Sequence, residues 1–242
     1  MTSTLILILS LFTTIDYFSA MNDHAIQEQE SITVKKCNDF TITGKGDNRE
    51  WGKSEWIEME AREKEPDLYK SRFKIMYSDK GIYVLFDGED KKISTALEDF
   101  SNVWEGDVFE VFFHTDLRYP LYFEYEINPL NSELVLIIPN IDKKFLGWLP
   151  WHYEGERKVK KAVYVKGGKA EPEASIKGWL AELFFPYELL TPMGNVPPES
   201  GTEWKANFYR MDYDRKETIH WSWVPVTGTF HDFENFGTLR FE

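Results

Sequence analysis

The chain has 242 residues, an aromatic share of 16% and a formal net charge of −13, from 28 basic and 41 acidic residues. This charge repels phosphate backbones and anionic lipid surfaces, which argues against nucleic acid as a partner and against insertion into membranes. The single cysteine, Cys37, excludes an intramolecular disulfide, and the length suits one all-β domain.

The N-terminal segment has two interpretations. Residues 1–20 contain a mainly apolar run, Leu5–Ile15, which has the length of a signal-peptide core and is too short to span a membrane. Cleavage of this segment would accompany secretion or a periplasmic location, whereas a true start at Met21 would leave the protein cytoplasmic. Residues 21–30 are polar and aperiodic, which predicts a flexible lead-in to a single domain over residues 31–242.

Beyond residue 30, short apolar runs alternate with turn residues, which is typical of a β-sandwich or barrel. The predicted strands are Ser31–Lys36, Phe40–Thr43, Arg72–Tyr77, Ile82–Asp87, Asp107–His114, Leu121–Asn128, Glu133–Ile138, Val159–Val165, Gly178–Phe185, Glu203–Asp212, Thr218–Val224 and Gly237–Phe241. Pro186–Leu190 is the best candidate for a helical turn, because proline suits its first position. The predicted fold is an all-β antiparallel sandwich, immunoglobulin-like or jelly-roll-like, with at most short helical turns.

Two connections between strands have distinctive sequences. Ser78–Gly81 predicts a β-hairpin turn with Gly81 in the left-handed conformation. Phe145–His152 predicts an irregular aromatic loop, because glycine and proline interrupt it before a period develops. Its residues Trp148 and Trp151 either form an exposed platform for a sugar or cover the core.

The strand Asp107–His114 contains one residue that needs an explanation. Both of its faces are largely apolar, which indicates a strand covered on both sides. Burying the unpartnered carboxylate of Glu110 would cost on the order of several kcal/mol. Trp104 lies six residues earlier, and a flat aromatic ring near a carboxylate suits a sugar, which has apolar faces and hydroxyl edges. The alternative is a core tryptophan and a glutamate satisfied by a neighbouring strand.

Catalytic and metal chemistry have weaker support. Glu110 and Glu126 are the carboxylate pair best placed to imitate a glycosidase acid and base, provided that their strands meet. The histidines show no zinc-binding spacing, and the sequence has neither a serine elbow nor a phosphate-binding glycine loop. Asp87 and Asp90 place oxygen ligands after a strand and are candidates for a cation site, although a solvated turn is the simpler explanation.

Several separated segments form a recognisable pattern. They are Gly44-x-x-Asp47 before Trp51, Ile82-Tyr-Val84, Trp104-x-x-Asp107-x-x-Glu110, Asn207-Phe-Tyr-Arg210, Ser222-Trp223 and the closing stretch from Phe230 to Leu239. In this order they resemble carbohydrate-binding module family 9 over most of the chain after about Phe40. The resemblance implies a β-sandwich of the DOMON-like group, non-catalytic binding of a saccharide or glycan-chain end in glycan catabolism, and calcium as a possible structural ion.

The resemblance also assigns roles to residues of the site. In the family, two aromatic side chains sandwich a terminal sugar while a carboxylate and polar groups bond its hydroxyls. Trp104 matches one aromatic wall and Glu110 the hydroxyl acceptor. The second wall falls near Phe230, where sugar-binding members carry tryptophan, and Glu126 stands where a basic ligand-binding residue is expected.

Asn207 and Arg210 resemble a polar motif of stand-alone members of the family. Three residues apart on a flat strand, their side chains face opposite sides of the sheet. One of the two is therefore expected to have a structural role, with Arg210 neutralising Glu110 or Asp107.

The sequence thus predicts a non-catalytic carbohydrate-binding sandwich that stacks a sugar on Trp104. Three alternatives remain at this point. The first is a glycoside hydrolase or accessory subunit that uses Glu110 with Glu126. The second is a haem binder of the DOMON-like kind with Met76 and Met211 as ligands, and the third is a scaffold that has lost sugar binding.

Overall fold

The computed structural model describes residues 30–65, 68–142, 144–151 and 154–242. The predicted signal segment 1–20 and residues 21–29 of the predicted lead-in lie outside the described residues. Two β-sheets pack face to face and share their first strand at one edge. In the described part of the chain, no helix is both long enough and apolar enough to cross a membrane.

The described residues form fifteen strands, four of which are only two residues long. The strands are β1 (Ser31–Lys36), β2 (Ile57–Glu58), β3 (Glu60–Ala61), β4 (Ser71–Tyr77), β5 (Gly81–Gly88), β6 (Val108–His114), β7 (Leu121–Ile127), β8 (Glu133–Ile141), β9 (Lys144–Phe145), β10 (Leu149–Pro150), β11 (Lys160–Lys166), β12 (Gly178–Pro186), β13 (Glu203–Asp212), β14 (Ile219–Ser222) and β15 (Gly237–Phe241). A single α-helical turn, α1 (Tyr187–Leu190), and short 3-10 turns complete this part of the chain. The predicted all-β fold with short helical turns is confirmed.

The two sheets differ in the strands that they contain. Sheet I has the order β10-β8-β7-β6-β13-β15-β1, and sheet II has the order β1-β4-β5-β12-β11. Neighbouring strands are antiparallel except at β1, which pairs in parallel with β15 through Ser31–Val34 and with β4 through Lys35 and Lys36. Strand β1 therefore closes one side of the sandwich by contributing to both sheets.

The main core lies between the two sheets and is rich in aromatic rings. Phe109 of β6 stacks on Phe86 of β5 with a centroid separation of 4.5 Å. Phe208 of β13 stacks on Phe73 of β4 at 3.9 Å. Each fully buried phenylalanine contributes about 1.5–3 kcal/mol through the apolar area that it removes from water. Because strand residues alternate in direction, Glu110 of β6 must point away from this core, to the outer face of sheet I.

The outer face of sheet I is covered as well. Phe112 and Tyr122 point outward from β6 and β7 and pack against Phe236, which precedes β15. Strands β9 and β10 both pair with β8, and the segment that contains them places more aromatic residues above the sheet. This explains why β6 reads as apolar on both faces, and it leaves space for a cavity between the sheet and its covering loops.

The prediction of a strand at Phe40–Thr43 is wrong, whereas every other predicted strand occurs. The backbone N–H groups of Thr43 and Gly44 both donate to Oε2 of Glu182, each at 2.8 Å. Indole Nε1 of Trp51 donates to Oε1 of the same carboxylate at 2.7 Å. The buried carboxylate of Glu182 on β12 thus accepts the backbone hydrogen bonds that a partner strand would otherwise accept from this segment.

The β4–β5 hairpin is confirmed, but the predicted conformation of Gly81 is wrong. Gly81 begins β5, and its φ angle is not positive. A Cβ atom at this position would lie 2.2 Å from the carbonyl oxygen of Phe185 on the neighbouring strand. Glycine is required here by the close approach of another backbone, and not by a left-handed turn.

Candidate functional site

A cavity of about 470 Å³ opens on the outer face of sheet I. Its floor consists of outward-facing side chains from β6, β7, β8 and β13, namely Glu110, Phe112, Glu124, Glu126, Leu136 and Met211. Its walls and rim come mainly from loops and contain Arg62, Trp104, Phe145, Trp148, His220, Gly228, Thr229, Phe230 and His231. The structure therefore brings together Trp104, Glu110, Glu126 and Phe230, which the sequence had selected from distant parts of the chain.

Trp104 is held at the cavity by contacts to its backbone. It lies in the 3-10 turn Val103–Glu105, immediately before β6. The hydroxyl of Tyr213 donates to the carbonyl oxygen of Trp104 at 2.6 Å. The carboxylate of Asp107 in turn accepts from the backbone N–H groups of Tyr213 at 2.9 Å and Ser94 at 2.5 Å. In the Trp-x-x-Asp motif, Asp107 therefore holds Tyr213 in place, and Tyr213 in turn fixes the backbone of Trp104.

In the aromatic segment predicted over Phe145–His152, one tryptophan is exposed at the cavity and the other covers the core. Trp148 lines the cavity, is 46% exposed, and meets Trp104 edge to face with a centroid distance of 5.8 Å. Trp151 packs against the core and donates from Nε1 to the carbonyl oxygen of Leu189 at 3.2 Å. His152 lies outside the described residues.

Phe230 is positioned by a buried polar chain from β13. Its ring stacks on Tyr209 with a centroid distance of 4.0 Å and an interplanar angle of 11°. The Tyr209 hydroxyl donates to the carbonyl oxygen of Phe230 at 2.9 Å and accepts from Nδ2 of Asn207 at 2.8 Å. Asn207 also bonds both backbone groups of Val224. Asn207 therefore does not line the cavity, and it acts through Tyr209 by fixing the loop that carries Phe230.

Arg210 lies on the other face of β13 and does not reach the cavity. It is completely buried between the sheets, and its Nη2 donates to Oδ2 of Asp212 at 2.8 Å and to Oδ2 of Asp90 at 3.2 Å. The prediction that Arg210 binds the ligand, or pairs directly with Glu110, is therefore not supported by its position. As the sequence indicated, the alternation along the strand gives Asn207 and Arg210 opposite faces.

Asp87 and Asp90, the predicted cation ligands, do not come together. Asp87 points to the outer side of sheet II and forms ion pairs with Arg72 and Lys166. Asp90 is buried and joins Asp107 and Asp212, with carboxylate oxygens of all three within 4.8 Å of one another. The sequence analysis thus selected one cation-ligand candidate, Asp90, that belongs to a three-carboxylate cluster. The other two members come from distant parts of the chain, β13 and the turn before β6.

The donor set of this cluster does not fit a calcium ion. Such an ion takes about six to eight oxygen ligands. Here Oδ2 of Asp90 and Oδ2 of Asp212 already accept hydrogen bonds from Arg210. The guanidinium supplies the cation for the cluster, and a divalent ion would be repelled by it. Burial raises the pKa of Asp90 to about 8 and that of Asp107 to about 7, so protons offset part of the remaining charge.

Three glutamates form a compact acidic floor in the cavity. Glu110 of β6 lies directly opposite Glu126 of β7, and Glu124 follows two residues away on the same face. All three are at most 5% exposed. Burial raises the pKa of Glu110 and Glu126 well above the ordinary value, with further increases from the neighbouring glutamates, and burial raises that of Glu124 to about 8. Glu124 therefore holds a proton near neutral pH, the raised pKa of the other two favours their protonated forms, and a protonated carboxyl group can donate as well as accept a hydrogen bond.

Glu124 was missed as a site residue, although the signal for it was present. A period of two along β7 puts Glu124 and Glu126 on the same face of the strand, so the choice of Glu126 implied its neighbour. Phe112 follows in the same way from Glu110 on β6. Nothing in the local pattern indicated His231, which comes from a loop and bonds the Tyr122 hydroxyl at 2.8 Å.

The haem alternative requires two ligands that the structure separates. Met76 is buried in the cluster on the outer face of sheet II, whereas Met211 belongs to the cluster on the outer face of sheet I. With a whole sandwich between them, the two thioethers cannot ligate one iron.

The acidic floor predicts that stability falls as the pH rises from 6.5 to 8. Glu124 titrates near 8 in the folded state and near 4.5 when unfolded, so within this window the folded state binds more protons. By linkage, the free energy of unfolding then decreases with pH, and Asp90 acts in the same direction. His231, whose pKa is lowered from 6.5 to about 4 in the folded state, opposes this trend only at the lower end of the window, where the unfolded histidine loses its proton. We expect the melting temperature to drop by about 3 °C or more, measured by circular dichroism. A melting temperature that increases over this interval would contradict the protonated floor.

Comparisons with known proteins agree with one another. The model of carbohydrate-binding family 9 matches residues 47–241. The structure of a candidate carbohydrate-binding protein from Bacteroides uniformis is similar, with a TM-score of 0.71, 21% identity, and coverage of 88% of this chain and 100% of that one. No curated protein matches the sequence significantly.

Two further similar structures come from a family 9 carbohydrate-binding module of Caldicellulosiruptor kristjanssonii. One is a complex with cellotriose, with a TM-score of 0.62, 17% identity, and coverage of 88% of this chain and 94% of that one. The other is a complex with glucose, with a TM-score of 0.63, 17% identity, and coverage of 88% and 96%. At these identities the structures show a common fold.

Proposed function

The chain belongs to carbohydrate-binding family 9, and we propose that it binds a saccharide ring in the cavity on sheet I without cleaving it. The observation that carries the proposal is the convergence of Trp104, Phe230 and Glu110 on one cavity of about 470 Å³. This volume falls in the range of about 300–1,000 Å³ for small-molecule sites. The glucose and cellotriose bound by the similar Caldicellulosiruptor kristjanssonii module support the same class of ligand.

In the proposed complex, the aromatic walls contact the faces of the sugar and the carboxyl groups of the floor bind its hydroxyl groups. The rings of Trp104 and Trp148 meet at the rim, and that of Phe230 is backed by Tyr209, so apolar surface is available for the faces of a sugar. The carboxyl groups of Glu110 and Glu126 lie on the floor of the cavity, where they would form hydrogen bonds with the hydroxyl groups at the edge of the sugar. Burial and the neighbouring glutamates raise the pKa of Glu126, which favours the protonated form, and in that form it can donate a hydrogen bond where the family pattern has a basic residue.

The geometry does not favour glycoside hydrolysis by Glu110 and Glu126. The two residues are directly opposite on neighbouring strands, so both carboxyl groups rise from the same floor and do not flank a bond from opposite sides. Hydrolysis also needs one ionised carboxylate as base or nucleophile, whereas burial raises the pKa of both groups. Binding without turnover suits this pair better.

Isothermal titration calorimetry against glucose, xylose, cellobiose and xylobiose tests the proposal. We expect at least one of these neutral sugars to bind, with a Kd between about 1 μM and 1 mM. Absence of heat with every neutral sugar and amino sugar at millimolar concentration, from a protein shown to be folded, would favour a scaffold that has lost sugar binding. Release of reducing sugar from oligosaccharides by the purified protein would instead favour hydrolysis.

A further inference from the structure

The polar groups on the cavity floor are all of one kind. Glu110, Glu124 and Glu126 contribute three carboxyl groups, and the rest of the floor is made of Phe112, Leu136 and Met211. Carboxyl oxygens are acceptors, and a protonated carboxyl group adds only one donor. The floor is therefore suited to a ligand group that donates several hydrogen bonds at one point.

Two oxygens of this floor have no partner within the protein. Among the residues that the structure describes, Oε2 of Glu124 and Oε2 of Glu126 are buried and form no hydrogen bond. The two side chains also lie within hydrogen-bonding reach of each other and can share a proton, but neither of these oxygens accepts a hydrogen bond from another residue. An unsatisfied buried polar atom is costly, by about 1–3 kcal/mol for a neutral group and more for a charged one. The two free oxygens thus mark a position that a ligand donor can fill.

The other titratable side chains that line the cavity do not neutralise the floor. His231 contacts Glu124 at 3.9 Å, but burial lowers its pKa to about 4, which keeps it uncharged near neutral pH. His220 pairs with Glu63, and the exposed Arg62 at the rim donates to the carbonyl oxygen of Gly228 at 2.7 Å. Among the described residues that line the cavity, no cationic group pairs with the three glutamates.

We propose that the saccharide preferred by this cavity is an amino sugar with a free amine, whose ammonium group lies against Glu124 and Glu126. This inference rests on the proposed saccharide binding and specifies its ligand class. An ammonium presents three N–H donors and a full charge in one small group, which matches two free carboxyl oxygens better than a single hydroxyl does.

The aromatic walls favour the same group. The rings of Trp104, Trp148 and Phe230 line the cavity above the acidic floor. Aromatic faces attract cations within about 6 Å of the ring centroid, and tryptophan is the strongest of them. Carboxylates below and aromatic rings around the cavity together form the kind of environment that stabilises an ammonium group after it leaves water.

Binding of a cation also has consequences for the protons of the floor. Burial raises the pKa of Glu124 to about 8, so this group enters the complex protonated near neutral pH. An ammonium beside it favours the ionised form and displaces the proton to solvent. A neutral sugar does not supply a charge and leaves the proton in place. Proton release on binding therefore distinguishes the two kinds of ligand independently of affinity.

Calorimetry with matched ligands tests the proposal. Glucosamine, N-acetylglucosamine and glucose differ only at one substituent, and the corresponding β-1,4-linked disaccharides extend the series. Titrations at pH 6.5 and about 150 mM salt, in two buffers of different ionisation enthalpy, give both the Kd and the number of protons released. We expect the free amine to bind about tenfold or more tightly than either neutral analogue, with proton release for the amine alone.

Two variants separate the local effect from the overall negative charge. Glu124→Gln removes one floor carboxyl, and we expect the ratio of amine to neutral affinity to fall towards one. Glu188→Gln makes the same substitution at an exposed position on α1, where it changes the net charge without touching the floor, and the ratio should stay as in the wild type. A ratio retained in Glu124→Gln overturns the proposal.

The remaining outcomes distinguish this inference from the function on which it rests. Equal binding of glucose and glucosamine, or tighter binding of the neutral sugar, overturns the amine preference and leaves saccharide binding intact. If no member of either series binds to folded protein, both the preference and the proposed function are wrong.

Discussion

Replacement of Trp104 by alanine is expected to weaken saccharide binding by about 30-fold or more. Truncation of a tryptophan at the centre of a binding site typically costs about 2 kcal/mol or more, because a large rigid surface is lost. Trp104 has a neighbour, Trp148, but this ring meets it edge to face at 5.8 Å and cannot take over its position. The Kd measured by calorimetry for the best wild-type ligand checks the result.

A matched control separates the loss of the ring from a general loss of stability. Trp56 is also partly buried, but it packs under Arg72 on the outer face of sheet II, away from the cavity. Trp56→Ala should bind sugar like the wild type. Equal affinities for wild type and Trp104→Ala, with unchanged circular dichroism spectra, would show that Trp104 is not a wall of the binding site.

Replacement of Arg210 by methionine is expected to lower the free energy of unfolding by about 3–5 kcal/mol. Removing one partner of a buried ion pair leaves the remaining charges without compensation. Arg210 is the cation for Asp90 and Asp212, and its guanidinium also lies 4.9 Å from the ring of Trp221. Methionine keeps much of the side-chain volume, so the loss is mainly electrostatic.

Urea denaturation measures this effect, and Arg72→Met provides the comparison. Arg72 forms an ion pair with Asp87, but its side chain is 39% exposed, so we expect a loss of about 1 kcal/mol or less. A loss for Arg210→Met as small as that for Arg72→Met would contradict the structural role of the buried cluster. Because Asp107 of this cluster anchors Tyr213, which bonds Trp104, the Arg210 variant should also bind sugar more weakly.

Local patterns in the sequence predicted most of the strands and part of the cavity lining. The alternation along β6 showed that Glu110 stands out from an apolar strand, and this unusual residue does lie on the cavity floor. The choice of Glu126 as the partner of Glu110 required only that two consecutive strands lie side by side. The register of β6 and β7 confirms that the two residues are directly opposite each other. Such inferences work because they use the period of two and short connections, both of which are local properties.

Features that depend on distant contacts could not be predicted in this way. The carboxylate partners of Arg210 include Asp90, 120 residues earlier in the chain. Glu182 satisfies backbone groups at Thr43, 139 residues away, and thereby prevents the predicted strand there. The requirement for glycine at position 81 comes from the backbone of Phe185. In each case the deciding atom lies on an element whose position follows only from the complete fold.

A crystal structure of the protein with the tightest-binding saccharide from the calorimetric series shows directly whether the cavity of sheet I is the binding site. We predict one sugar ring in the cavity of sheet I, with a face against the indole of Trp104 and polar substituents within hydrogen-bond distance of Glu110, Glu124 or Glu126. A sugar bound elsewhere on the surface, with this cavity filled only by water, would show that the cavity is not the saccharide-binding site.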